Sequence, residues 1–273
     1  MTLVKLPGGE TLWYKTTGPA SSGGKPLLHL HGSAFGHRNF GRMTPLMAEH
    51  FETIDLDLPG YGESTGTARP GGMDGFAEII YEFIRATGYD KVNLHGTSFG
   101  AMIGLTLAAR HPEVIDRLVL SCFLARYDLA ARMMRKTWKR AALDSGMTAV
   151  TDLTSVAGFA REFYERADAN AQFEDMYVAF DATAPEAFVA GTETIERTDL
   201  EPLLPLVTGP TLLLAGAEDN MTPFNPAPSG CGFSTIAKVL PDCRMEVLPG
   251  CGHYLVLEQP ELATERIVPF ING

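Results

Sequence analysis

A chain of 273 residues, 45% apolar and 20% charged, has the material for one large hydrophobic core, or a core with a small accessory domain. Its formal net charge is −11, with 33 acidic against 22 basic side chains. That balance argues against a nucleic-acid or anionic-membrane surface, since either needs a basic patch.

The opening "MTLVKLPGGE" lacks the charged n-region and long apolar stretch of a signal peptide, and no apolar run approaches the ~18 residues of a spanning helix. A cytoplasmic protein with no membrane segment is expected. "TLVKLPGGETLWYKTTG" then predicts two strands around Pro7, Gly8 and Gly9, an antiparallel hairpin at a sheet edge. From there, short apolar runs alternate with helical stretches: "PLLHLHG", "TIDLDLPG", "KVNLHG", "RLVLSCF", "PTLLLAG" and "RMEVLPG" each end at a turn or loop. Runs of that kind suit strands buried on both faces, so a parallel sheet covered by helices follows.

Residues 125–198 break the alternation. They carry only amphipathic helical patterns rich in Met, Phe, Tyr and Trp, and predict a helical insertion after the sixth strand. Its basic run "RMMRKTWKR" is expected to form a solvated helix face. Trp138, Phe159, Phe163, Tyr164, Met176, Tyr177 and Phe180 recur at helical spacings. Most should pack the insertion itself. Some should roof a pocket, for which Trp138, Phe159, Tyr164 and Tyr177, with Gly32 below, are the candidates.

Three loops at the carboxyl edge of such a sheet carry chemistry. In "KVNLHGTSFGAMIGL", Gly96 and Gly100 leave room for a sharp strand-to-helix turn that exposes Ser98 as a nucleophile. The Phe99 N–H at the head of the helix is then placed to donate to an oxyanion. After "HLHG", a second donor is expected from Ser33, with Ala34 as the alternative. A serine needs a general base, and the base needs an anion to hold its tautomer. Of seven histidines, His253 in "LPGCGHYLVLEQP" follows the last strand, while His95 is expected to be packed within one. "LLLAGAEDNMTP" offers Asp219 as the orienting acid, with Glu218 as the alternative.

No His/Cys grouping has metal-site spacing, and His29 with His31 lacks a third ligand, so no metal or other cofactor is expected. Cys122, Cys231, Cys243 and Cys251 are expected as free thiols, with Cys231–Cys243 the pair to consider were the protein exported.

Taken together, His31-Gly32, "DLPGYGES", "GTSFG", the helical block, "GAEDNMTP" and "GCGH" resemble, in that order, the serine-nucleophile branch of the α/β-hydrolase fold superfamily. The resemblance implies a mostly parallel central sheet of about eight strands with helices on both faces. The core would span 1–124 and 199–273, with a helical cap at 125–198 inserted after strand six. Within the branch, the chain is most similar to 3-oxoadipate enol-lactonase-like hydrolases and small esterases. It departs from them at "FNPAPSGCGFSTIAKVLPDC", a longer link expected to lie near the site. A serine nucleophile excludes the aspartate-dependent dehalogenases and epoxide hydrolases of this fold. The expected function is a cofactor-independent serine hydrolase of a small-molecule ester or lactone, acting through Ser98, His253 and Asp219 as a monomer or homodimer. A C–C bond hydrolase, an acyltransferase and a non-catalytic small-molecule binder on the same fold are the alternatives.

Overall fold

The computed structural model describes residues 2–19, 25–67 and 69–273. Strands β1 (Thr2–Lys5) and β2 (Thr11–Thr17) form the antiparallel hairpin, and β2 joins β4 (Thr53–Leu56) antiparallel. The parallel strands are β3 (Leu27–Leu30), β4, β5 (Val92–Thr97), β6 (Ile115–Ser121), β7 (Thr211–Gly216) and β8 (Cys243–Leu248). The eight-stranded order is β1-β2-β4-β3-β5-β6-β7-β8.

Residues along each inner strand alternate between two cores. Leu28, Leu94, Leu120 and Leu213 face one; Leu27, Val119, Leu212 and Leu214 face the other. The first core is closed by α2 (Met73–Ala86) and α3 (Phe99–Arg110). α2 is amphipathic and buries Phe76, Ile79, Ile80 and Phe83, whereas α3, wedged between α2 and the sheet, is apolar nearly all round. α1 (Thr44–Met47) and, beyond β8, α10 (Pro260–Asn272) cover the second core through Met47, Ala263 and Ile267.

Four helices lie between β6 and β7: α4 (Leu129–Ser145), α5 (Met147–Gly158), α6 (Ala169–Asp181) and α7 (Pro185–Arg197). Asp128 caps α4 by accepting the Ala131 N–H at 2.9 Å. The buried stripe of α4 is Ala131, Arg135, Trp138 and Ala142, spaced at one helical turn or two. The basic run is therefore not wholly a solvated face. Arg132, Lys136 and Arg140 are exposed, but position 135 falls on the stripe that packs inward and is 4% exposed.

The long link at 224–243 also lies elsewhere than expected. It pairs with the base of the helical block, where Ala125 N–H donates to Cys231 O at 2.8 Å and Cys231 N–H to Arg126 O at 2.9 Å, and it ends in α8 (Phe233–Val239). None of it lines the cavity beside Ser98. All four cysteines are free, so Cys231 and Cys243 do not pair. Among the described residues, no helix is long and apolar enough to cross a membrane.

Candidate active site

The carboxyl ends of the parallel strands bring the three expected loops together. β5 runs to Thr97, and α3 begins two residues later at Phe99. Ser98 between them sits at φ 54°, ψ −111°, a conformation costing about 1–3 kcal/mol for a residue with a Cβ. Its own N–H donates to Ser121 O on β6 at 2.9 Å and pins the turn. The turn requires glycine on either side: a Cβ at Gly96 would overlap the Gly100 carbonyl, and one at Gly100 the Leu30 carbonyl on β3.

His253, five residues past β8, faces Ser98 across 155 positions of sequence. Its Nε2 lies 3.1 Å from Ser98 Oγ and its Nδ1 3.0 Å from Asp219 Oδ2. All three side chains are buried. With Nδ1–H donated to the carboxylate, Nε2 is left to accept the serine hydroxyl.

The Asp219 carboxylate is held by its own turn. Oδ1 accepts the N–H groups of Met221 and Thr222, both at 2.8 Å, and Oδ2 accepts Thr222 Oγ–H at 2.6 Å. Burial pushes its pKa up, but His253 and these hydrogen bonds outweigh that, and the net direction is below the usual aspartate value. Glu218 is exposed and accepts the Arg161 N–H at 3.1 Å instead. Thr222 is a member of the site that the sequence reading missed; its signal is the threonine three residues after the acid, at the spacing that closes a turn onto a carboxylate.

Cys122 Sγ lies with Asp219 and His253 in a cluster whose donor atoms fall within 4.8 Å of one another. The set suits an ion poorly. Asp219 and His253 are already bonded to each other, and burial together with the Asp219 charge pushes the thiol well above its ordinary value, away from the thiolate a metal needs.

Opposite Ser98, the loop after β3 is fixed by two side chains. His31 donates from Nδ1 to Gly32 O at 2.7 Å and accepts the Leu58 N–H on Nε2 at 2.9 Å, while Asn39 Oδ1 accepts the Gly32 N–H at 2.7 Å. Gly32 and Ser33 stand in the cavity wall beside Ser98. Ala34, at φ 71°, is fully buried behind them, where its carbonyl accepts Thr183 Oγ–H at 3.1 Å. The Phe99 ring packs away from the cavity, against Phe76 with centroids 4.9 Å apart. Its N–H belongs to the first turn of α3, where the helix supplies no acceptor.

A half-enclosed cavity lies over Ser98. Trp138 is in its wall, with Arg135 on the same helix, Thr154 on α5, Phe180 on α6 and Phe188 on α7. Three expected wall residues are elsewhere. Phe159 lies a layer back, stacked on Phe163 at 4.1 Å and against Tyr254 at 4.8 Å. Tyr164 and Tyr177 line an outer groove between α5 and α6, where Tyr164 O–H donates to Ser155 O at 2.6 Å and Tyr177 bonds Asp152. Helical spacing identifies an apolar face but not whether it meets the cavity or a neighbouring helix.

A second buried carboxylate underlies the histidine loop. Glu258 of the short helix α9 (Leu255–Glu258) accepts the Gly252 N–H and the Ala160 N–H, each at 2.8 Å, and so joins the loop carrying His253 to the helical block. Burial pushes its pKa up to about 7, against the pull of those two N–H groups and with Asp219 and Glu218 adding repulsion.

A serine on a strand-to-helix turn, hydrogen-bonded through histidine to a carboxylate at the carboxyl edge of this sheet, defines an alpha/beta hydrolase. Residues 25–260 match the alpha/beta hydrolase fold family, and the chain belongs to it. Among its relatives, the 2-hydroxy-6-oxo-6-(2'-aminophenyl)hexa-2,4-dienoic acid hydrolase of Metapseudomonas resinovorans is 25% identical over 261 residues, covering 91% of this chain and 84% of the relative. A pimeloyl-(acyl-carrier protein) methyl ester esterase of Aromatoleum aromaticum is 28% identical over 261 residues, covering 90% and 98%. The crystal structure of the enol-lactonase from Burkholderia xenovorans superposes over 100% of both chains with a TM-score of 0.87 at 22% identity, a likeness of fold.

Proposed function

We propose that this hydrolase cleaves a carboxylic ester or lactone of a small molecule through an acyl-enzyme on Ser98. The observation that carries the reading is the unbroken line from Asp219 through His253 to Ser98, at 3.0 and 3.1 Å. His253 Nε2 takes the hydroxyl proton as Ser98 Oγ attacks the carbonyl, and Asp219 stabilises the imidazolium that forms. The Ser33 and Phe99 N–H groups receive the oxyanion. His253 then returns the proton to the departing alkoxide, and the same base activates the water that releases the acid. No step calls for a metal or other cofactor. The helical block at 125–198 acts as a cap over the site, which favours small substrates over proteins or emulsified lipid. The relatives named as an esterase and an enol-lactonase support the bond type.

The test is turnover on a panel of short activated esters, lactones and vinylogous diketones beside Ser98→Ala. Turnover of esters or lactones, falling about 10³- to 10⁶-fold in the variant, is expected. A variant within tenfold of wild type overturns the nucleophile, and cleavage of the diketone alone makes the site a C–C bond hydrolase.

A further inference from the structure

Two recesses of the surface meet at one side chain. The first is the cavity that holds Ser98 and His253. The second is larger and lies between α6, α9 and the loop after β3, with Arg38, Gln172, Asp175, Met176 and Leu257 in its wall. Among the described residues, Phe35 alone stands in both walls. The elements on either side of it run on past the divide. On α6, Phe180 faces the cavity, while Met176 and Gln172, about one and two turns earlier, face the larger recess. Tyr254 belongs to the cavity, and Leu257 on α9 to the recess. The Phe35 ring closes the space between.

That ring is held at its backbone and at its faces. The preceding Ala34 carbonyl accepts Thr183 Oγ–H at 3.1 Å, and the N–H of His37, two residues on, donates to Asp57 Oδ1. Phe35 itself is 4% exposed and packs edge to face against Phe180 and Tyr254, with centroids 4.8 and 5.3 Å apart. A side chain so placed is a fixed wall, because stepping aside forfeits both aromatic contacts while the chain on either side stays tied.

We propose that Phe35 is a specificity-determining residue: it ends one arm of the substrate pocket, holds the enzyme to short esters and small lactones, and separates Ser98 from a recess that would otherwise receive several more methylenes. The proposal rests on the hydrolase reading above and assigns the residue that sets its size limit. Removing the ring joins the two spaces and deletes no group that takes part in the chemistry. Each methylene taken out of water gains roughly fourfold in binding, so four of them, entering a recess that is partly polar, should gain about 30-fold.

The test compares the p-nitrophenyl esters of butanoate and octanoate, which lengthen the acyl side, and butyl with octyl acetate, which lengthen the alcohol side. The wild type should favour the shorter member of at least one pair at least tenfold in kcat/KM. In that pair Phe35→Ala should raise the ratio of long to short about 30-fold, chiefly through KM. Phe35→Leu, which keeps an apolar side chain and so disturbs folding least, should raise it at least fivefold. Gln172→Trp, which sets an indole in the larger recess, should leave the wild-type ratio within twofold; combined with Phe35→Ala, it should cancel most of the gain. A wild type that favours the longer member of both pairs, ratios in Phe35→Ala and Phe35→Leu equal to wild type in both, or a gain that Gln172→Trp does not reduce overturns the proposal. Should no ester turn over, the hydrolase reading fails separately. Calorimetric binding of n-octanol against n-butanol then decides the wall: a tenfold rise of that ratio in Phe35→Ala supports it, and an unchanged ratio overturns it.

Discussion

Replacing Glu258 by glutamine should change how stability depends on pH, by an amount the structure sets. The Glu258 carboxyl is 2% exposed, and its pKa is raised from an ordinary 4.5 to about 7. The folded protein therefore holds a proton there that the unfolded chain has already released. Between about pH 4.5 and 7 the folded state binds more protons, so this group makes stability fall as pH rises, with the full loss reached above about pH 7. At about 1.4 kcal/mol per pH unit the whole effect is about 3 kcal/mol, most of which falls between pH 5 and pH 8. Glutamine imitates the protonated acid: one oxygen still accepts from Gly252 or Ala160, and nothing titrates. Urea unfolding of wild type and Glu258→Gln at pH 5, 6.5 and 8, at constant ionic strength, reads the difference directly. The wild type should lose about 2 to 3 kcal/mol relative to the variant from pH 5 to pH 8. A gap constant to within about 0.5 kcal/mol would refute the reasoning, and would mean that the two backbone N–H groups keep Glu258 ionised throughout.

Three further substitutions probe the acid and the turn. Asp219→Asn removes the anion that fixes the His253 tautomer and should lower kcat by about 10⁴-fold, whereas Glu218→Gln, at an exposed position bonded to Arg161 N–H, should stay within about threefold; kcat on any ester that the wild type turns over ranks the pair, and the reverse order reassigns the acid. Gly100→Ala drives a methyl group into the Leu30 carbonyl, which cannot move without disturbing β3, so stability should drop by more than about 3 kcal/mol; a melting temperature unchanged from wild type would show that the helix can shift away from the strand.

The turn that carries Ser98 was legible in the sequence because it is written locally. Strand, glycine, serine, glycine and apolar helix are adjacent, and their steric demands alone force the turn. The strands were legible for a similar reason, since burial on both faces leaves no polar position inside a run such as "TLLLAG". The partnership of Ser98 with His253 is different. Each loop could be placed at a strand end, but only the packing of β5 against β6, and of β6 through β7 to β8, turns 155 positions of separation into 3.1 Å. The choice between Asp219 and Glu218 likewise depended on where the turn after β7 aims two neighbouring carboxylates. In the helical block, periodicity marked apolar faces without saying what they meet, which is why Trp138 reaches the cavity while Phe159, Tyr164 and Tyr177 do not. Charge was read as exposure, and for Arg132, Lys136 and Arg140 that holds. Arg135 is the exception. Its charge is a property of the residue, but its burial follows from the turn of α4 that sets it in line with Ala131, Trp138 and Ala142, and that alignment acquires meaning only when the helix lies over Ser98.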